Sequence, residues 1–314
     1  MDYRFHPQDL IDEDEREQLN NKAMVPMIDG ILAMDDDFDP EQVIAALTAE
    51  YNRLHALRLK AANQKIAFEK GPICAVFFAD VHLGHPGVNI VRFLEELRLI
   101  RETPGMWAFA VGDMVENMIL PKLVNNRFNG ELKPTYEWKL LRYVMEIIAP
   151  KLIGATSGNH ENWIEALTGI PYFHEIVKQT APQVLYNTND IQFDCYVEGA
   201  NFPVRIRHKW LYKSKYNATH GIEDAWRFDH GFKIGVGAHT HTSGLIREFN
   251  AGGDNGMALL CGTYKDCDEY AAKLGVPRPN RSTAVSVILY PDGDMTGYRD
   301  LRKAADVIRR LRGN

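Results

Sequence analysis

Three short apolar runs, each closing on a residue able to bind a cation or move a proton, constrain this chain more than any other feature. PICAVFFAD (72–80), MWAFAVGD (106–113) and KLIGATSGNH (151–160) read as buried strands. The stretches between them, VNIVRFLEELRLIRE (88–102) and YEWKLLRYVMEIIAP (136–150), read as helices. Strands alternating with helices predict parallel pairing and a layered α/β core. Farther on, IQFDCYV, FPVRIRH, FKIGVGAH, GLIREF, MALLCGT, STAVSVILY and MTGYRD are strand-like with few helices between them. A second, more antiparallel sheet is expected to collect them. The chain ends in a basic helix, LRKAADVIRRLR (301–312).

Residues 1–70 differ, and helix signals dominate there. They are predicted to form an N-terminal helical extension, with the main domain at 71–314. Asp39-Pro40 is a helix start. After it, Val43, Ile44, Leu47, Tyr51, Leu54 and Leu57 fall on one helical face. Such a face either packs on the main domain or pairs two copies, so a homo-oligomer through these helices is one expectation. The acidic start MDYRFHPQDLIDEDE has neither the basic opening nor the apolar stretch of a signal peptide. No apolar run approaches the roughly 18 residues of a membrane span. A cytoplasmic protein without a membrane partner is expected. Cys74, Cys195, Cys261 and Cys267 lack CxxC spacing and read as reduced thiols. The net charge of -6 means that any nucleic-acid binding needs a local basic patch.

Metal-type side chains gather at five strand ends. Asp80 and His82 follow the first run and, at i and i+2, reach the same side of an extended chain. Asp113 follows Gly112, Asn159 and His160 follow the third run, and His208 ends VRIRH. His239 and His241 close GVGAHTH, again at i and i+2. Ligands of open α/β sheets bind beyond the carboxyl ends of the strands, so these residues are expected to converge. Carboxylates and imidazoles without thiolate suit manganese, iron or zinc better than calcium. Two divalent metal ions are expected, manganese first, with iron, zinc and nickel as alternatives, and one central carboxylate bridging them.

The ordered set DxH, GD, GNHE, strand-His and HxH covers most of residues 72–250 and resembles the calcineurin-like metallophosphoesterases. The resemblance implies a four-layer αββα sandwich of two mixed β-sheets flanked by helices, with the metals between the sheets. It implies that Asp80, His82 and His241 bind one ion, that Asp113 bridges, and that Asn159, His208 and His239 complete the second. GTYK (262–265) and the D.Y pattern beyond it are also similar to a phage and bacterial branch described as DNA-repair exonuclease-like. Two positions depart from the family pattern. Ala238 stands where glycine usually precedes the HxH pair, and Lys209 follows His208 where glycine is frequent. His220-Gly221 matches that dipeptide better, but His208 follows the clearer strand and is taken as the ligand.

The implied activity is a dinuclear-metal phosphoesterase, foremost a phosphodiesterase acting on nucleic acid or a nucleotide. The alternatives are a phosphomonoesterase for a small molecule or phosphoprotein, and a non-catalytic binding scaffold. His160 is expected beside the metals, protonating the leaving alkoxide or holding a phosphate oxygen, with Asp80 or Glu161 orienting it. No P-loop is present, which argues against ATP-dependent chemistry. In RIRHKWLYKSKYNATH, Arg205, Arg207, Lys209, Lys213 and Lys215 interleave with Trp210, Tyr212 and Tyr216. That alternation fits a base-stacking surface or simply a strand with one solvated face. The resemblance to the exonuclease-like branch implies that Ser214, Tyr216 and Asn217 line the site, and the long connection at 116–138 reads as a lid or a solvated loop. Lys265 beside Tyr264, and Asn117, read equally as site contacts or as turn residues.

Overall fold

The computed structural model describes residues 3–5, 40–61, 64–119, 132–211, 214, 216–229, 231–251, 253–266 and 283–313. Its elements run β1 (Tyr3–Phe5), α1 (Pro40–Ala61), β2 (Gln64–Phe68), β3 (Ile73–Phe78), α2 (Ile90–Glu102), β4 (Met106–Val111) and α3 (Pro134–Ile148). There follow β5 (Leu152–Thr156), α4 (Asn159–Thr168), α5 (Tyr172–Thr180), β6 (Leu185–Asn187), β7 (Ile191–Val197), β8 (Ala200–Ile206) and α6 (His220–Asp229). The chain then forms β9 (Ile234–Gly237), β10 (Leu245–Ala251), β11 (Asp254–Leu260), β12 (Val285–Leu289), β13 (Met295–Tyr298) and α7 (Leu301–Leu311).

Two mixed sheets result, flanked by helices. One has six strands in the order β13-β12-β3-β4-β5-β6, the other seven in the order β1-β2-β7-β8-β9-β11-β10. The unbroken apolar runs now have a physical cause: they are buried on both faces. On β3, Ile73, Ala75 and Phe77 enter the core between the sheets, while Cys74, Val76 and Phe78 join the core under the helices. Phe109 sits in the inter-sheet core, stacked between Phe77 and Phe193 at centroid distances of 5.0 and 5.5 Å. On the outer face of the seven-stranded sheet, Ile222 and Trp226 of α6 pack with Trp210, Phe232 and Ala258.

Sheet membership differs from the expectation in two places. STAVSVILY and MTGYRD, expected in the second sheet, are β12 and β13 of the first, with β12 antiparallel to β3. All five β12 residues are buried, as a strand flanked on both edges and covered on both faces requires. Gln64–Phe68, read as part of the helical extension, is a strand that pairs in parallel with β7 in the seven-stranded sheet. It buries alternate residues, Gln64, Ile66 and Phe68. The helix expected after Asp39 is α1, but Ile44, Leu47 and Tyr51 on its apolar face are exposed at 62, 49 and 66%. The side chains of Leu54 and Leu57 lie outside the described residues. No described helix is long and apolar enough to cross a membrane.

Candidate metal centre

β3, β4 and β5 of one sheet and β8 and β9 of the other all end toward the same region, and their trailing loops carry the ligand-type residues. The loops after β3 and β4 continue the ladder: Asp80 N donates to Gly112 O, His82 N to Asp113 O and Leu83 N to Met114 O, at 2.8–3.1 Å. Asp80 and His82 are therefore fixed beside Asp113. Six residues here, Asp80, His82, Asp113, Asn117, His239 and His241, have φ between 44° and 73°. Only one other described non-glycine residue, Glu198, has positive φ. Left-handed backbone at non-glycine residues costs free energy, and its clustering at one place marks a site the rest of the fold holds in shape. Two glycines permit the close approach. A Cβ on Gly112 would collide with the Gly158 backbone, and one on Gly158 with the Asp113 carboxylate.

Asp80, His82, Asp113 and His241 bring one ligand atom each to within 4.8 Å of one another. Asp113, His208 and His239 form a second such group, so Asp113 belongs to both. His82 Nε2 faces His241 Nε2 at 2.9 Å, and His241 Nε2 is 3.3 Å from Asp80 Oδ1. His208 Nδ1 donates to Val111 O at 2.7 Å, which aims Nε2 at Asp113 Oδ2, 3.1 Å away. Asn159, in the first turn of α4, has a buried Oδ1 without a hydrogen-bond partner among the described residues. Nitrogen and oxygen atoms crowded together, buried and aimed at common points, are a donor set suited to divalent cations. His220, the rival to His208, starts α6 and pairs its Nε2 with Asp224 at 3.0 Å; it belongs to neither group.

The electrostatics follow from this crowding. Burial pushes the Asp113 carboxyl up, but facing His208 and His160 outweigh it and hold it well below the ordinary range. Burial likewise opposes ionisation of Asp80, and His241 pulls it down overall. Burial lowers His208, yet Asp113 more than reverses that and raises the imidazole to about 10. Burial takes His82 down to about 4, against the pull of Glu116. The sign for His208 is that of a raised cation. Its pairing with Asp113 stabilises the fold fully below about pH 6.5, the ordinary histidine value, and is lost as pH rises through about 10. A ligating imidazole must be neutral. Titrating metal-stripped protein with Mn²⁺ at about pH 8 is therefore expected to release a proton from His208. Calorimetry in two buffers of different protonation enthalpy reads this directly. Equal heats in both buffers would refute it.

His160 is not oriented as the sequence suggested. Neither Asp80 nor Glu161 holds its ring; Nδ1 bonds the Glu116 carbonyl, and Nε2 points at the cluster, 4.0 Å from Asp113 Oδ2. The Glu161 carboxylate instead accepts four backbone N–H groups, those of Asp113, Met114, Val115 and Gly158, at 2.6–3.1 Å. Asn117 is a positioning residue: its Nδ2 donates to His160 O at 2.6 Å. His82, Glu116 and His160 form a third group of ligand types. There the Lys265 ammonium already lies 3.2 Å from Glu116, supplying the positive charge. The sequence reading left Glu116 without a role; its only signal was the spacing in GDMVEN.

Where it is described, the interleaved basic and aromatic stretch is partly covered. Trp210 is buried, donating Nε1 to Val236 O, and Arg205 pairs with Asp190 and Asp229. Ser214 and Asn217 are tied into a local turn with Thr219, and Tyr216 is exposed. Tyr212, Lys213, Lys215, Cys267 and most of the long 116–138 connection lie outside the described residues.

No family model and no curated protein matches this chain. Among solved structures, Vps29 of Chaetomium thermophilum is similar at 10% identity and a TM-score of 0.33, over 72% of this chain and 93% of that one. The hypothetical protein PH1004 from Pyrococcus horikoshii OT3 is similar at 11% identity and a TM-score of 0.35, over 77% and 94%. Likeness at these values carries no chemistry across.

Proposed function

We propose that this protein is a dinuclear-metal phosphoesterase of the calcineurin-like superfamily that hydrolyses phosphodiester bonds of nucleic acid or a nucleotide. The observation behind this reading is the pair of largely buried donor groups that share the Asp113 carboxylate. Asp80, His82 and His241 with Asp113 would hold one cation, and Asp113, Asn159, His208 and His239 the other. Two such cations supply charge neutralisation at phosphate oxygens and lower the pKa of an attacking water.

The residues themselves supply positioning and a proton. Glu161 fixes the Asp113 loop through its backbone amides, and Glu116 O fixes the His160 ring. His160 Nε2 is then the atom that gives a proton to the departing alkoxide. Two divalent cations and a protonated His160 would outweigh the Asp80 and Asp113 carboxylates, with Glu116 answered by Lys265, so the centre suits an anionic phosphate ester.

With Mn²⁺ present, turnover of bis-p-nitrophenyl phosphate is expected to exceed that of p-nitrophenyl phosphate. His160→Gln is expected to lower kcat about 10²–10³-fold with metal content unchanged. Equal or faster monoester turnover sinks the diester reading. An unchanged kcat in His160→Gln sinks the proton-transfer role.

A further inference from the structure

We propose that Lys265 and Glu116 form a positioning pair that presets His82 as a ligand, with the Gly262–Lys265 loop as the device that delivers it. The inference rests on reading the cluster as a cation centre and assigns a role to residues outside the ligand set.

The Glu116 carboxylate is fully buried, and Oε2 lies 2.8 Å from His82 Nδ1. The contact is electrostatic, outside hydrogen-bond alignment. A carboxylate at that distance favours the proton on Nδ1 and leaves the Nε2 lone pair toward Asp80 and His241. An anion buried this deeply needs a counter-charge. Lys265 provides it, with Nζ 3.2 and 3.4 Å from the two Glu116 oxygens and the residue only 6% exposed.

The loop that carries Lys265 also grips the first ligand. Thr263 Oγ1 donates to Asp80 O at 2.9 Å, Tyr264 N to the same carbonyl at 3.2 Å, and Lys265 N to Thr263 Oγ1 at 3.1 Å. Tyr264 is buried and donates its hydroxyl to Glu96 of α2 at 2.5 Å, anchoring the loop in the helix layer. One short segment thus holds the left-handed backbone of Asp80 and charges the residue behind His82. Among the described residues no charged pair stands behind His208, whose Nδ1 is held by a backbone carbonyl. The two halves of the centre are supported differently, so they are separable by experiment.

The test uses full-length protein stripped of metal and titrated with Mn²⁺, followed by calorimetry and metal analysis. His241→Ala reports loss of one cation and His208→Ala loss of the other. Glu116→Gln and Lys265→Met are expected to follow His241→Ala, weakening one class of site about 10–100-fold and leaving the other in place. Lys265→Arg, which keeps the charge, is expected to recover most of the affinity. Parallel weakening of both classes, or no weakening, overturns the proposal. Should either variant fold poorly, ¹⁵N NMR of Zn²⁺-loaded wild type decides: Nδ1–H with Nε2 ligation at His82 supports it, ligation through Nδ1 overturns it. Wild type that binds no cation would overturn the metal centre itself, a result distinct from both.

Discussion

Asp113→Asn is expected to abolish hydrolysis, with kcat/KM down about a thousandfold or more, equivalent to about 4 kcal/mol of transition-state stabilisation. Asparagine keeps the shape and the Oδ1 acceptor that receives His160 N at 2.9 Å. It removes the negative charge common to both donor groups. Metal analysis should show fewer than two cations per chain after dialysis. A second signature follows from His208, which Asp113 raises to about 10. Without that carboxylate the imidazole loses its proton at lower pH, so the proton released on Mn²⁺ binding at about pH 8 should largely vanish. A variant that keeps two cations and wild-type turnover would remove Asp113 from the centre.

The second large effect is on stability. Glu161→Ala deletes the common acceptor of four backbone N–H groups that shape the Asp113 loop and the start of α4. Leaving a buried donor unsatisfied costs about 1–3 kcal/mol, and water would recover part of the total. A net loss of roughly 3–5 kcal/mol is expected. Glu161→Gln, which turns an amide N–H toward a backbone N–H, should lose about half as much. Urea unfolding of metal-stripped protein isolates this from any change in metal binding. A loss under about 1 kcal/mol for the alanine variant would mean that the Asp113 loop holds itself.

How much of this was legible depends on how local the cause is. Asp80 and Asp113 could be brought together because each closes an apolar run, and a parallel sheet sends such ends to one side. Which sheet a later strand joins was not legible. Val285–Leu289 reads like any buried strand, and its pairing with β3 depends on an edge more than two hundred residues earlier in the chain. Gln64–Phe68 was absorbed into the preceding helical pattern because five residues are too few to reset a periodicity. Alternation of basic and aromatic residues left two readings of Trp210 open, a stacking surface or a strand with one solvated face, because the packing of α6 against it is not local. Glu116 and Lys265 lie 149 positions apart, so their pairing is a product of folding that no motif spells out.

The donor groups draw Asp80, His82 and Asp113 from the loops after strands of one sheet and His208, His239 and His241 from the loops after strands of the other. Ions seated there would act as rivets through the two halves of the sandwich. Prising those halves apart would then mean breaking coordination bonds as well as exposing Phe77, Phe109 and Phe193. Catalytic competence and resistance to delamination would rise and fall together with ion supply.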